Sequence, residues 1–324
     1  MQVSLFPGLM IPRPFQIPAF RAWVGWGRRK PELWRLALGM VLVGLCWLLT
    51  TSVIMILPAI PASTEFDMSV PAYIDAFGMT AALEGLSDTL QSLMVMLSFA
   101  GIWLGIWAAL RLLHGRSLAS TLAARGRWSM GHFWGGFAVA FGFSACMAGL
   151  ALMTGDESIL AEVDPLSWGW AIIPLFFAVC IQSCGEELLF RGYLQQQLAA
   201  RYRNPWIWLI LPSVLFGLLH MGEGLQGLAY AFVTALIGIV AGVMVWRTGS
   251  LAAAMGLHLG NNFVVFVLLG PETLPRMLSD PEWVSQNFNL AAFAIDAAFF
   301  LIVGLIVMSR LSPLKPVSPA RRGG

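Results

Sequence analysis

Charged side chains are scarce in this sequence. Asp, Glu, Lys and Arg make up 11% of its 324 residues and 58% of the chain is hydrophobic, whereas a soluble domain carries roughly 25% charged residues. This composition excludes a soluble globular domain. The basic residues are dispersed among short segments and form no single footprint, which argues against nucleic acid binding. The sequence therefore predicts an all-α, polytopic integral membrane protein.

Cysteine is also sparse, and its placement excludes two further classes. The four cysteines all lie in apolar runs, at Cys46, Cys146, Cys180 and Cys184. This pattern predicts small buried side chains and neither a disulfide framework nor a CxxC metal site. The H-E-x-x-H signature of soluble zinc proteases is absent as well.

Apolar segments long enough to span a bilayer, at about 20 residues each, recur along the chain. We predict about eight transmembrane helices, at 36–57, 90–113, 133–153, 168–200, 206–220, 228–246, 251–269 and 290–308. They belong to a single transmembrane helical domain, 36–309. A basic cytoplasmic or interfacial segment, 1–35, precedes it, and a cytoplasmic tail, 310–324, follows. Segment 1–35 is not expected to be a signal peptide, because its long basic lead precedes an apolar stretch long enough to span.

The basic residues predict how the chain is oriented. If both termini are cytoplasmic, 18 of the 19 Lys and Arg residues fall on the cytoplasmic side, and Arg276 alone falls outside. Cytoplasmic loops carry such an excess of positive charge. We therefore expect a multi-pass membrane protein with both termini in the cytoplasm, which in a bacterium places it in the inner membrane.

Two adjacent acids, Glu186 and Glu187, lie inside the fourth predicted span. A charge near the bilayer centre costs about 2.5–3.5 kcal/mol even on lenient scales, so such residues persist where they line a cavity or find a partner. Glu187 and Arg191 are four residues apart and can pair on one helix face. Glu186 is rotated by about 100° from its neighbour. The pattern predicts that Glu186 is free for chemistry.

Two histidines and an asparagine are predicted at a similar depth. At about 1.5 Å of rise per residue, Glu186 and His220 lie about 21 Å from the cytoplasmic side and His258 about 16 Å. Asn262 follows His258 by one turn and shares its face. A lone polar residue in a span often only forms a hydrogen bond between helices. Ionisable groups from three helices at one depth instead indicate a functional site. Asp296, on the last span, is assigned no role.

Two G-x-x-x-G patterns flank this layer. One comprises Gly238 and Gly242 on the sixth predicted span, and the other Gly256 and Gly260 on the seventh. Small residues at this spacing let helix backbones approach closely. We expect this close approach to draw the polar groups together.

Three short motifs occur in order on separate predicted spans: Glu-Glu-x-x-x-Arg at 186–191, Phe-x-x-x-His at 216–220 and His-x-x-x-Asn at 258–262. Together they resemble the CAAX prenyl protease type II and bacteriocin-processing (CPBP, or Abi) family of intramembrane proteases. The resemblance covers about residues 170–270. It leaves the first three predicted spans and the last one outside.

The resemblance implies an intramembrane endopeptidase that cleaves a membrane-associated or hydrophobic peptide or protein. In this interpretation, Glu186 and His220 activate a water molecule for attack on the peptide carbonyl. His258 and Asn262 stabilise the oxyanion, a task for which their side chains are suitable donors. Prenylated CAAX termini are the substrates of the eukaryotic branch, whereas a bacterial member is expected to process a signal peptide, a bacteriocin or a membrane protein.

The metal requirement stays open at this point. One Glu and two His could form a three-ligand zinc site with an open position for water, and the family has been described both as metalloproteases and as glutamate proteases. Because Asn262 accompanies His258, we favour a metal-free glutamate mechanism without a cofactor. Glu187 and Arg191 then support the helix and the electric field around Glu186.

Two other functions are compatible with the same residues. Intramembrane Glu, His and Asn side chains could form the path of an ion- or proton-coupled transporter, although the sequence lacks the inverted hydropathy repeat and paired broken helices of many transporters. A non-catalytic immunity or scaffold protein could keep the constellation for folding. Cleavage of membrane peptides by the wild type and by Glu186→Gln separates the peptidase from both.

The predicted orientation can be tested with reporter fusions. A reporter placed after Ser309 and one placed within 156–164 are expected to report opposite sides of the membrane, because an odd number of predicted spans separates the two positions. If both fusions report the same side, the topology is wrong, and so is the depth argument built on it.

Overall fold

The computed structural model describes residues 13–77, 86–124, 128–153, 165–270, 274–275, 280 and 289–315. These residues form helices and connecting turns. An isolated antiparallel bridge between Ala123 and Ser250 is the one β contact among them. The prediction of an all-α polytopic membrane protein is confirmed.

The α-helices of the described part are numbered in chain order: α1 Pro18–Gly27, α2 Leu33–Ile56, α3 Ala59–Glu65, α4 Val70–Phe77, α5 Asp88–Ser98, α6 Ala100–Ala109, α7 Ala119–Leu122, α8 Met130–Met153, α9 Pro165–Glu187, α10 Gln196–Arg201, α11 Leu211–Leu218, α12 Gly224–Thr248, α13 Ala252–Phe263 and α14 Leu290–Met308. A short 3₁₀ helix, Pro14–Gln16, precedes α1. Four π-helical segments extend or join these helices, namely Leu110–His114, Leu188–Gln195, Trp206–Ile210 and Val264–Leu268.

Within the described ranges, six helical runs are long and apolar enough to cross a membrane: Leu33–Glu65, Asp88–His114, Met130–Met153, Gly169–Arg201, Gly224–Thr248 and Leu290–Met308. The fifth and seventh predicted spans are shorter apolar helices, Trp206–Leu218 and Ala252–Leu268. Each of the eight predicted spans therefore coincides with an apolar helix. The fifth ends before His220, which lies in the turn that follows α11.

Helix α13 is enclosed by its neighbours, because every residue from Ala252 to Gly260 is buried. Glycine makes this possible on the side that faces α8. A methyl group at Gly256 would collide with the backbone carbonyl of Phe133, and one at Gly260 with the carbonyl of Phe137. The close approach predicted from this G-x-x-x-G pattern is confirmed, with α8 as the partner helix.

The other glycine pair makes room for side chains. A methyl group at Gly238 would lie 2.7 Å from a guanidinium nitrogen of Arg191, and one at Gly242 would meet the side chains of Leu209 and Gln195. The Gln195 amide also donates to the Gly242 carbonyl at 3.2 Å. Helix α12 therefore accommodates the polar residues that follow α9.

The helix that carries the two acids widens immediately after them. Helix α9 ends at Glu187, and the π-helical segment Leu188–Gln195 continues into α10 with all of its residues buried. A π-helix closes its hydrogen bonds over five residues and often marks a functional site. The i,i+4 interval from Glu187 to Arg191 lies across this change of helical geometry.

The close contact between α13 and α8 predicts a test of the packing. Gly256→Ala is expected to lower the free energy of unfolding by about 1–3 kcal/mol, because the new methyl group overpacks the contact with Phe133. Gly135→Ala on α8 is the matched control, since nothing lies within 4 Å of a methyl group there. Equal thermal stability of both variants in detergent would contradict this packing.

Candidate active site

The two adjacent glutamates end α9 and are enclosed by the bundle. Glu186 is 6% exposed and Glu187 is 0% exposed. As the spacing predicts, Arg191 pairs with Glu187, and its Nη1 donates to Glu187 Oε1 at 2.8 Å. Arg191 is itself 1% exposed. The pair is therefore a buried, charge-assisted hydrogen bond and not a surface contact.

His258, on α13, lies between the two glutamates. Its Nδ1 is 3.0 Å from Glu187 Oε1, and its Nε2 is 3.5 Å from Glu186 Oε2. Because Glu187 Oε1 already accepts from Arg191, it also acts as the acceptor for His258, and Nδ1 carries a proton. This bond fixes the imidazole so that Nε2 is directed towards Glu186.

One carboxylate oxygen of Glu186 has no hydrogen-bond donor in the described part of the chain. Its Oε2 is buried, and no described residue donates a hydrogen bond to it. The 3.5 Å separation from His258 Nε2 exceeds the usual N–H···O range of about 2.7–3.2 Å. A buried carboxylate oxygen is costly without a partner. Glu186 therefore presents an acceptor that a water molecule or a proton would satisfy.

Phe216 connects the three motifs. Its ring lies 4.5 Å from the Arg191 guanidinium carbon, 4.8 Å from the His220 ring and 5.7 Å from the His258 ring. A guanidinium over an aromatic face is an attractive contact. Phe216 is buried and therefore sets the spacing between the glutamate pair and both histidines. Sequence reasoning gave Phe216 no role, although the Phe-x-x-x-His motif contained it.

His220 approaches the site from the turn after α11 and is exposed. Its Nδ1 is 2.8 Å from the Phe216 carbonyl oxygen, and a carbonyl can only accept, so Nδ1 carries a proton here as well. The Nε2 atom is thereby left as the free ring nitrogen. No hydrogen bond or ion pair between His220 and Glu186 is present among the described residues, and His220 contacts the site through Phe216.

Asn262 belongs to a polar network that sequence reasoning missed. Its Nδ2 donates to Gln182 Oε1 at 3.0 Å and to Ser183 Oγ at 3.3 Å. Its Oδ1 accepts from Asn261 Nδ2 at 3.2 Å, and Asn261 Oδ1 in turn accepts from Ser144 Oγ at 3.2 Å. The network therefore joins α8, α9 and α13.

One signal for this network was present in the sequence. Gln182 precedes Glu186 by four residues, so both lie on the same face of α9. Asn262 was expected to offer a donor to an oxyanion, but both of its amide hydrogens are already used by Gln182 and Ser183. A substrate oxygen would have to replace one of these two acceptors.

The proposed zinc ligands are not gathered into one site. Among the described residues, no group of three or more His, Cys, Asp and Glu side chains is arranged to hold a metal ion. Glu186 and His258 face each other, while the Phe216 carbonyl engages only Nδ1 of His220 and leaves its Nε2 available. The metal-free mechanism stays a prediction.

The same part of the chain is similar to known proteins. Residues 168–264 match the family model described as type II CAAX prenyl endopeptidase Rce1-like. The predicted family resemblance is confirmed. This Rce1-like segment contains both glutamates, both histidines and Asn262, and it corresponds closely to the range of about 170–270 predicted from the motifs.

One curated relative, "Uncharacterized protein YyaK" of Bacillus subtilis (strain 168), is 25% identical over 176 residues, which are 51% of this chain and 56% of the relative. The chain therefore spans about half the length of the curated relative it matches. No solved structure matches the chain.

The buried pair predicts a stability test. Glu187→Gln and Arg191→Ala are each expected to lower the free energy of unfolding by about 3–5 kcal/mol, because each leaves its partner uncompensated in the interior. Glu32→Gln is the matched control, since Glu32 pairs with Arg35 at 3.1 Å in a partly exposed position. Near-normal thermal stability of both core variants would refute the structural role of the pair.

Proposed function

We propose that this protein is an intramembrane endopeptidase that hydrolyses a peptide bond in a membrane-associated or hydrophobic peptide or protein. The observation that carries the proposal is the division between the two buried glutamates. The Oε2 atoms of both glutamates accept no hydrogen bond from the described residues. Glu187 Oε1 is nevertheless held by Arg191 and His258, whereas Glu186 is only approached by His258 Nε2, at 3.5 Å. The match of residues 168–264 to an endopeptidase family supports the same reaction class.

Glu186 is the general base of the proposed reaction. It removes a proton from a water molecule while the water oxygen bonds to the carbonyl carbon of the substrate. The same carboxyl group then returns the proton to the amide nitrogen as the carbon–nitrogen bond breaks. A positioned acid–base group of this kind contributes about 10²–10⁴ to a rate. His220, whose Nε2 is free, is the residue proposed to orient the attacking water.

His258 is the first proposed oxyanion donor. Its Nδ1 is bonded to Glu187, so Nε2, which lies 3.5 Å from Glu186 Oε2, is the ring nitrogen that faces the reacting groups. In the proposed step, His258 as an imidazolium donates from Nε2 to the oxygen of the tetrahedral intermediate, as oxyanion donors do.

Asn262 is the second proposed oxyanion donor. Its amide is bound to Gln182 and Ser183, so the substrate oxygen has to displace one of them. The exchange offsets part of the gain from a new donor, which alone is worth about 2.7–4 kcal/mol. Asn262 therefore contributes less than an uncommitted donor and also holds α13 in register with α9.

The proposed substrates follow from the surroundings of the site. The acids lie within the Gly169–Arg201 helical run, which is apolar enough to cross a membrane, so a substrate reaches them from the lipid or as a hydrophobic peptide. If the protein is bacterial, it acts in the inner membrane with both termini in the cytoplasm. Its substrates are then signal peptides, bacteriocins or membrane proteins.

A transporter is the second candidate, and the polar network favours it. Ser144, Asn261 and Asn262 lead from α8 through α13 to Gln182, one turn before Glu186. Amide side chains do not relay protons by themselves, but such a polar path can line an ion pathway in which Glu186 is the ionisable group. Proton flux into liposomes that contain the protein, without cleavage of any membrane peptide, would favour this function over the peptidase.

The peptidase proposal predicts the behaviour of matched carboxylate variants. Glu186→Gln is expected to remove most cleavage of membrane peptides, at least 10²-fold, because the base is lost while the side-chain volume is kept. Asp296→Asn, also in an apolar helix but outside the Rce1-like segment, is expected to keep wild-type activity. Both variants are expected to unfold at the wild-type temperature. Full activity of Glu186→Gln would overturn the assignment.

The metal-free form of the mechanism predicts a further result. Protein treated with chelator and shown by elemental analysis to contain no zinc is expected to keep full activity. Loss of activity on chelation, with recovery on addition of stoichiometric zinc, would instead establish a metallopeptidase.

A further inference from the structure

Helix α1 is a fixed part of the bundle. Its inner face is buried and comprises Ala19, Phe20, Trp23, Val24 and Gly27. The Gln196 amide donates to the Trp23 carbonyl at 2.9 Å, and the Trp23 indole donates to the Thr121 carbonyl at 2.7 Å. The first bond attaches α1 to α10, at the end of the helical run that carries Glu186, and the second attaches α1 to α7.

The outer face of α1 and the adjoining turns carry unpaired positive charge. Five cations lie there, exposed or half-buried, at Arg13, Arg21, Arg28, Arg29 and Lys30. Among the described residues, none of the five forms an ion pair. Glu32 is the one acid among the first 64 residues, and it is bound to Arg35 at 3.1 Å. We call these five residues the basic face.

The basic face lies where the first apolar helix begins. Helix α2 starts at Leu33, and its first residues, Leu33 and Trp34, are 40% and 56% exposed. Exposed apolar side chains at the start of a membrane helix face lipid. The Arg29 guanidinium stacks 4.6 Å from the Trp26 ring, and tryptophan is enriched at the level of lipid headgroups. The basic face is therefore at headgroup depth.

We propose that the basic face binds the headgroups of anionic phospholipids and thereby holds α1 against the bundle. Each Lys or Arg next to a membrane surface increases the affinity for anionic lipids by about fivefold. Zwitterionic lipids carry a compensating positive charge and are not expected to replace them. Because α1 packs on α10, bound lipid is also expected to raise the stability of the helical run that ends there. This inference is independent of peptidase activity.

Lipid titration of detergent-purified full-length protein tests the proposal. Phosphatidylglycerol is expected to bind, as followed by native mass spectrometry, and to raise the unfolding temperature, whereas phosphatidylcholine and inorganic phosphate are not. The triple variant Arg21→Gln, Arg28→Gln and Arg29→Gln is expected to bind phosphatidylglycerol about 100-fold more weakly. The same three positions changed to Lys keep the charge and are expected to keep most of the affinity.

A matched variant separates a defined site from diffuse attraction. Arg111→Gln, Arg201→Gln and Arg203→Gln also remove three exposed arginines, but none belongs to the basic face. This variant is expected to bind phosphatidylglycerol within a few-fold of the wild type. Equal losses in the two Gln triples would overturn the proposal. So would equal binding of phosphatidylcholine, or equal stabilisation by inorganic phosphate alone.

Discussion

The arrangement of the site depends on one buried carboxylate oxygen, Glu187 Oε1. It accepts hydrogen bonds from Arg191 on its own helical run and from His258 on α13. Two donors on one buried carboxylate oxygen form a strong and directional contact. The contact compensates the Arg191 charge and fixes the orientation of His258. It thereby leaves the neighbouring Glu186 as the uncommitted acid.

Close packing makes this contact geometrically available. Gly238 leaves room for the Arg191 side chain, and Gly256 lets α13 lie directly against α8. The Phe216 ring then fills the space between the guanidinium and both histidines. A larger residue at Gly238 would meet the Arg191 guanidinium, and one at Gly256 would push α13 away from α8. The positions of the acids therefore depend on the same close packing that holds the helices together.

Local features of the site were predictable from the sequence because helix geometry determines them. The four-residue interval from Glu187 to Arg191 gave their pairing, and the apolar runs gave the helices. The partners of His258 were not predictable, because the register between α9 and α13 depends on packing and not on periodicity. The position of His220 beyond the end of α11 was missed for a related reason, since a predicted span shows no local signal for where its last turn ends.

The central claim is the hydrogen bond from His258 Nδ1 to Glu187, and nitrogen-15 NMR of histidine-labelled protein in lipid nanodiscs tests it most directly. The chain has only four histidines, so the His258 signals can be assigned by their loss in His258→Gln. The account predicts a protonated Nδ1 in the wild type and a changed Nδ1 signal in Glu187→Gln. A His258 with a bare Nδ1 in the wild type, unaffected by Glu187→Gln, would contradict it.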